Sequence, residues 1–137
     1  MSRIRSFRDL TVYQGGMDLV MELSDLSRRL PADEKYVLGD QIRRSSRSVC
    51  ANIAEAWRKR RYVAAFVSKL NDSEAEAAET QVHLDAVIRH KYITEDLYKR
   101  LDDAYDKVIA QLTLMIEHAP QWTIKPRKGA PERKLEI

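Results

Sequence analysis

Four stretches of the chain repeat apolar and small residues at helical spacing, with short breaks between them. The first runs from about Phe7 to Leu30 and carries Leu10, Tyr13, Met17, Val20 and Leu23, three or four residues apart, as one face of an α-helix requires. It stops at Pro31, because proline disfavours helical backbone at the residue before it. Gly15-Gly16 inside it predicts a weak point or kink, since each glycine costs a helix about 1 kcal/mol against alanine. The second stretch runs from about Asp33 to Arg61, with Leu38, Ile42, Ser45, Val49, Ile53 and Ala56 as its seam and Asp33 or a neighbour as its cap. The third, from about Tyr62 to His90, holds Phe66, Leu70, Ser73, Ala77, Thr80, Leu84 and Val87, alternately four and three apart, which is a heptad seam. Thr94 is placed to cap a fourth helix, from about Glu95 to His118, with Leu97, Leu101, Ala104, Val108, Leu112 and Met115 on its inner side. Amphipathic helices joined by short turns predict an all-α, antiparallel up-down-up-down four-helix bundle.

Composition agrees with long helices. Gly and Pro number four each, and residues 32–119 contain no proline. The pattern ends at Pro120, so residues 1–119 are expected to form the bundle domain. Residues 120–137, with Trp122, three prolines and five basic residues, are expected to form an extended, flexible C-terminal arm. A hydrophobic content of 44% over 137 residues suits one domain with a real core. No stretch reaches the ~20 apolar residues of a membrane-spanning helix, and no apolar run follows the basic residues up to Arg8 as a signal peptide would require. Cys50 is the only cysteine, which excludes an intrachain disulfide and a multi-thiolate zinc site. A reducing cytoplasm and no membrane contact are the expectations.

The net charge of +3 is concentrated at one end of the sequence. Residues 125–137 hold five cations against two acids, which leaves the other 124 residues balanced at 19 of each sign. Within that balanced body the signs segregate. Residues 43–61 hold seven Arg or Lys against Glu55, and residues 71–88 hold five acids and no Lys or Arg. A basic second helix and an acidic third helix can attract within one bundle or between subunits.

The second helix also has more occupied faces than one bundle needs. Ser46, Cys50, Ala54 and Trp57 widen its apolar arc, and on the other flank Gln41, Arg44, Ser48, Asn52, Glu55 and Lys59 form a polar line. Ser and Asn are poor helix formers on an open surface and suit places where backbones come close. The line from Gln41 to Glu55 is therefore a candidate oligomer interface; the alternative is an ordinary solvated face.

Candidate chemistry is sparse. No Glu-x-x-His pair of the di-iron kind occurs. Asp72, Glu76, Glu79 and His83 share a helix face, which reads more readily as a surface ion cluster than as a metal site. Cys50 lies in the apolar arc, where a cysteine behaves as a small hydrophobe, and no histidine is placed beside it by spacing. The glycines match no phosphate-cradling loop. No catalytic residue, metal or cofactor is expected. Arg58, Lys59, Arg60 and Arg61 could meet phosphates, or simply serve the negative end of a helix dipole. In the arm, Lys125, Arg127 and Lys128 add to the first possibility, and Trp122 offers a stacking surface. Binding of RNA or DNA and binding of a protein partner both remain open at this point.

Phe7-x-x-Leu10, Leu38-x-x-Gln41-Ile42-Arg43-Arg44, Ser48-x-x-x-Asn52-Ile53-Ala54-Glu55 and Glu79-Thr80-Gln81 together resemble the four-helix bundle proteins encoded in intervening sequences of 23S ribosomal RNA genes. The resemblance spans residues 5 to about 118. Where many members carry Gly after the Glu corresponding to Glu55, this chain has Ala56-Trp57. The resemblance implies a ring-like homo-oligomer, a homopentamer of bundles, with no established enzymatic activity. It also touches the accessory proteins of diversity-generating retroelements, which share the architecture and bind nucleic acid and a reverse transcriptase through basic surfaces.

Overall fold

In the computed structural model, which describes residues 3–124, the chain forms four long helices and two short turns of helix. A 3-10 turn at Phe7–Asp9 precedes α1 (Thr11–Arg28), α2 (Leu38–Arg58), α3 (Val63–Arg89), α4 (Glu95–Glu117) and a final turn, α5 (Ala119–Trp122). No strand occurs among the described residues. Helices adjacent in sequence are adjacent in space, and α4 closes back on α1 over a shorter stretch. Each packed pair is antiparallel. Between α2 and α3, Arg44 meets Glu79, Val49 meets Ser73 and Glu55 meets Lys69. Between α3 and α4, Asp85 meets Tyr98 and Glu74 meets Thr113.

The α3 seam is the bundle's spine. All seven of its residues, Phe66, Leu70, Ser73, Ala77, Thr80, Leu84 and Val87, are fully buried. Its polar members serve the α2–α3 contact. Ser73 Oγ donates to the Val49 carbonyl at 2.8 Å, and Thr80 Oγ1 lies 2.8 Å from Ser45 Oγ and 2.9 Å from the Glu76 carbonyl. Small hydroxyl residues facing each other let the two backbones approach while each of these three buried hydroxyls keeps a partner.

The other helices depart from the sequence expectation in informative places. Leu10 is extended, so α1 starts at Thr11 and the preceding turn is capped separately: Ser6 Oγ accepts from Arg8 N and Asp9 accepts from Ser6 N, both at 3.1 Å. The Gly15-Gly16 pair does not break α1, which runs unbroken through it. Gly16 instead sits where an added Cβ would come 3.1 Å from Cys50 Sγ, whereas Gly15 has open space around it. One glycine therefore serves the close approach of α1 and α2, and the other does not. The second helix starts at Leu38, and Asp33 is not its cap. The Pro31 carbonyl takes the N–H groups of Glu34 and Lys35, and the Glu34 carbonyl takes those of Val37 and Gly39. These bonds wind residues 31–37 into turns. It ends at Arg58 rather than Arg61.

Thr94 caps α4 as expected, accepting from Leu97 N at 3.2 Å. On that helix Tyr105 is fully buried and Ala104 only half-buried. The phenol occupies the core near Cys50 and Glu22, and burial raises its pKa. Residues 120–122, expected to be extended, belong instead to a helical turn, Ala119–Trp122, whose Trp122 packs on the core.

Candidate nucleic-acid interface

Antiparallel packing brings three separated segments to the same end of the bundle. The 3-10 turn packs on α2 as well as on α1. Ile4 and Asp9 line a groove of about 530 Å³ together with Gln121 and Trp122. Ile124 N donates to the Arg60 carbonyl at 2.9 Å, tying the C-terminal turn to the α2–α3 loop. Residues 3–10, 58–63 and 117–124 thus share one end, carrying Arg3, Arg5, Arg8, Arg58, Lys59, Arg60 and Arg61 against Asp9 and Glu117. At the other end, residues 28–40 and 89–96 carry five cations and five acids.

The seven cations are not equivalent. Arg60 is held by the fold. Its guanidinium lies 3.5 Å from the centroid of the Trp57 ring and its Nε donates to the Trp57 carbonyl at 2.8 Å. Burial, and then the charge of Arg58, lower its pKa from the usual arginine value. Arg8 covers the Phe7 ring at 4.5 Å and stays exposed, as do Arg3, Arg5, Arg58, Lys59 and Arg61. The run from Arg58 to Arg61 is visible in the sequence, but its union with Arg3, Arg5 and Arg8 depends on how α1 returns along α2. Lys125, Arg127 and Lys128 lie outside the described residues; the described chain leaves at Ile124, at this same end.

The polar line proposed as an interface is largely engaged inside the chain. Arg44 pairs with Glu76 at 3.4 Å and with Glu79. Glu79, held by Arg44, sits below the ordinary glutamate pKa, while Glu76 sits above it because it is partly buried. Lys69 Nζ lies 2.8 Å from Glu55 and holds its carboxyl below the usual value. Asn52 Nδ2 donates one turn back, to the Ser48 carbonyl at 2.9 Å and to Ser48 Oγ at 3.2 Å. Gln41 is exposed. The attraction between the basic and acidic helices therefore runs within one bundle along the α2–α3 seam. The outward side of α3 carries a second pattern, not singled out above. Ala64, Ser68, Asn71, Ala75, Ala78 and Val82 are all exposed and again four and three apart, opposite the core seam. The signal was the second small-residue repeat in the same helix.

Elsewhere the chemistry is quiet. Asp72, Glu76, Glu79 and His83 do not converge as ligands, because Arg44 takes the two glutamates and Asp72 lies 3.9 Å from Lys69. Among the described residues, Asp102, Asp103 and Asp106 bring carboxylates within 4.8 Å of one another at a solvent-facing site, where the Gln81 amide bonds to Asp102 and Asp106. The Cys50 thiol is buried and its pKa is pushed up to about 11 by that burial, which keeps it protonated and unreactive near neutrality. No helix among the described residues is long and apolar enough to cross a membrane.

Comparison with known proteins matches residues 8–114 to the family described as the 23S rRNA-intervening sequence protein. The chain belongs to this family. A crystal structure of a protein with unknown function from the S23 ribosomal protein family of Bacteroides thetaiotaomicron is similar, with a TM-score of 0.70 and 31% sequence identity. That similarity covers 77% of this chain and 95% of that one. No curated protein matches the chain. The family match contains α1 to α3 and most of α4 and stops short of α5, so the bundle is the family's shared part.

Proposed function

We propose that this member of the 23S rRNA-intervening sequence protein family is a non-enzymatic binding module that holds the phosphate backbone of RNA or DNA on its basic end. The observation that carries the reading is the charge asymmetry of the bundle: seven cations against two acids at one end, and five against five at the other. Clustered exposed arginines concentrate a positive potential, and each phosphate they neutralise releases counterions, so affinity falls steeply with salt. Fluorescence anisotropy with a labelled mixed-sequence RNA at low and moderate salt tests this. The combined variant Arg58→Gln, Lys59→Gln and Arg61→Gln should lose most of the binding; binding equal to the parent's, or independent of salt, overturns the reading.

A second observation favours self-assembly in the same protein. The outward α3 face, from Ala64 to Val82, is small and nearly uncharged, and a helix with apolar or small residues on both sides is normally covered on both. A second copy of this chain is the occupant we propose, with the line from Gln41 to Glu55 beside it and with five copies, as the family resemblance suggests. Assembly would repeat the basic end around a ring and multiply a modest patch. Native mass spectrometry of the parent and of Ala75→Arg tests it. A parent of single-chain mass removes assembly and leaves the basic end as a monomeric site or, if that also fails to bind, leaves a protein-binding role as the alternative. We place the module in the cytoplasm, where its lone buried thiol needs no partner.

A further inference from the structure

The basic end also carries one exposed aromatic ring that the fold does not use. Tyr62 is 70% exposed and follows Arg61 directly, with Arg58 and Lys59 also open to solvent. The other aromatic residues at this end are occupied. Trp57 is buried beneath Arg60. Phe7 is covered by Arg8 and meets Tyr13 edge-on at a centroid distance of 4.9 Å, and Trp122 packs on the core.

The backbone under Tyr62 is held on both sides. Tyr62 N donates to the Lys59 carbonyl at 3.1 Å, and the Tyr62 carbonyl accepts from Phe66 N at 2.9 Å. Tyr62 precedes the first residue of α3 in an extended conformation, and its side chain makes no capping hydrogen bond. The ring is thus displayed from a fixed turn without a structural duty, against the cost of exposing a large apolar surface to water.

We infer that Tyr62 is a stacking platform for an unpaired base, so that the basic end prefers single-stranded nucleic acid to duplex. The inference rests on the nucleic-acid reading above and adds the substrate class. Phosphates of either form can meet the arginines, whereas base faces inside a duplex are already stacked on one another and closed to a protein ring. A single strand exposes those faces beside its phosphates, and every base has one, so the contact is tolerant of sequence. It is equally tolerant of ribose or deoxyribose.

Fluorescence anisotropy decides the matter with labelled uridylate and thymidylate strands of about 12 nucleotides, within the site size of small single-strand binders, and with a duplex of the same length. The parent should favour both single strands. Tyr62→Ala should lose roughly tenfold in single-strand affinity while its duplex affinity stays within about twofold, and Tyr62→Phe should keep the parent's preference. If Tyr62→Ala binds single strands as the parent does, while neutralising Arg58, Lys59 and Arg61 abolishes binding, the stacking role falls and the nucleic-acid reading stands. If the parent binds none of the three probes at about 50 mM salt, both fall. A changed native mass for Tyr62→Ala would assign the ring to a protein contact and overturn the inference.

Discussion

The turn between α2 and α3 is Lys59-Arg60-Arg61-Tyr62, and the turn between α3 and α4 is His90-Lys91-Tyr92-Ile93-Thr94. Both reverse the chain, but they spend their side chains differently. In the second, Tyr92 OH donates to Glu34 at 3.2 Å, the His90 and Tyr92 rings stack at 5.1 Å, and Thr94 caps α4. Lys91 adopts a left-handed backbone with φ of 61°. Its N–H and that of Tyr92 close α3 on the Ile88 and Val87 carbonyls, the arrangement in which helices commonly place glycine. In the first turn, only Arg60 works for the fold. Lys59, Arg61 and Tyr62 face solvent beside three N-terminal arginines. Like charges gathered this way repel one another and destabilise the compact state, and this cost without a structural return is what the proposed phosphate contact would offset.

The largest test of this contrast swaps the ends. Removing the charges of Arg58, Lys59 and Arg61 should lower RNA affinity by about a hundredfold at low salt and flatten its salt dependence by about two to three units of log-log slope. Removing those of Arg28, Arg29 and Lys91 at the other end should change it by less than about threefold. Equal losses from both sets would erase the distinction between the ends.

Arg60 should behave as a structural residue inside the binding cluster. Arg60→Ala should cost about 1–2 kcal/mol in urea denaturation through the lost Trp57 contact and hydrogen bond. Arg61→Ala should leave stability within about 0.5 kcal/mol. At the far end, Lys91→Gly should stabilise by about 1 kcal/mol by relieving the left-handed backbone, with RNA affinity unchanged.

The smallest effect concerns Asp9. Its carboxylate accepts from Arg5 N at 2.8 Å and from Ser6 N at 3.1 Å, and these bonds hold its pKa below the ordinary 3.8. A depressed folded-state pKa contributes stability that is present above the unfolded value and lost as pH falls through the folded one. The N-terminal turn should therefore loosen below about pH 3.8, visible as exchange broadening of the Arg5 and Ser6 amides. Asp9→Asn should show that loosening already at neutral pH, with the far end unaffected.

Much of the fold was legible because its signal was local and periodic. The α3 seam buries every residue its spacing selected, and the Thr94 cap needed only its position before an apolar run. The start of α2 was not legible. Asp33 is a good cap by type, but the Pro31 and Glu34 carbonyls capture the nearby N–H groups first. Ala104 fits its helix's spacing as well as Tyr105 does, and only the neighbouring helices decide that the larger side chain goes inside.

The candidate site was legible in part. Four adjacent cations are visible in any reading of residues 58–61, but nothing local distinguishes Arg60, which covers Trp57, from Arg61, which does not. Nor does the sequence bring Arg3, Arg5 and Arg8 to that cluster. Likewise Gly15 and Gly16 are indistinguishable as a pair until α2 places Cys50 against one of them.

What the amino-acid order determined here is the set of helices and their inward faces, because hydrophobic period and capping act within a few residues of one another. What the tertiary structure alone decided is which charges are spent on the fold and which are left open together at one end. That division depends on distances between residues more than fifty positions apart, such as Arg8 and Arg61, and antiparallel packing sets those distances only once all four helices have closed on a common core.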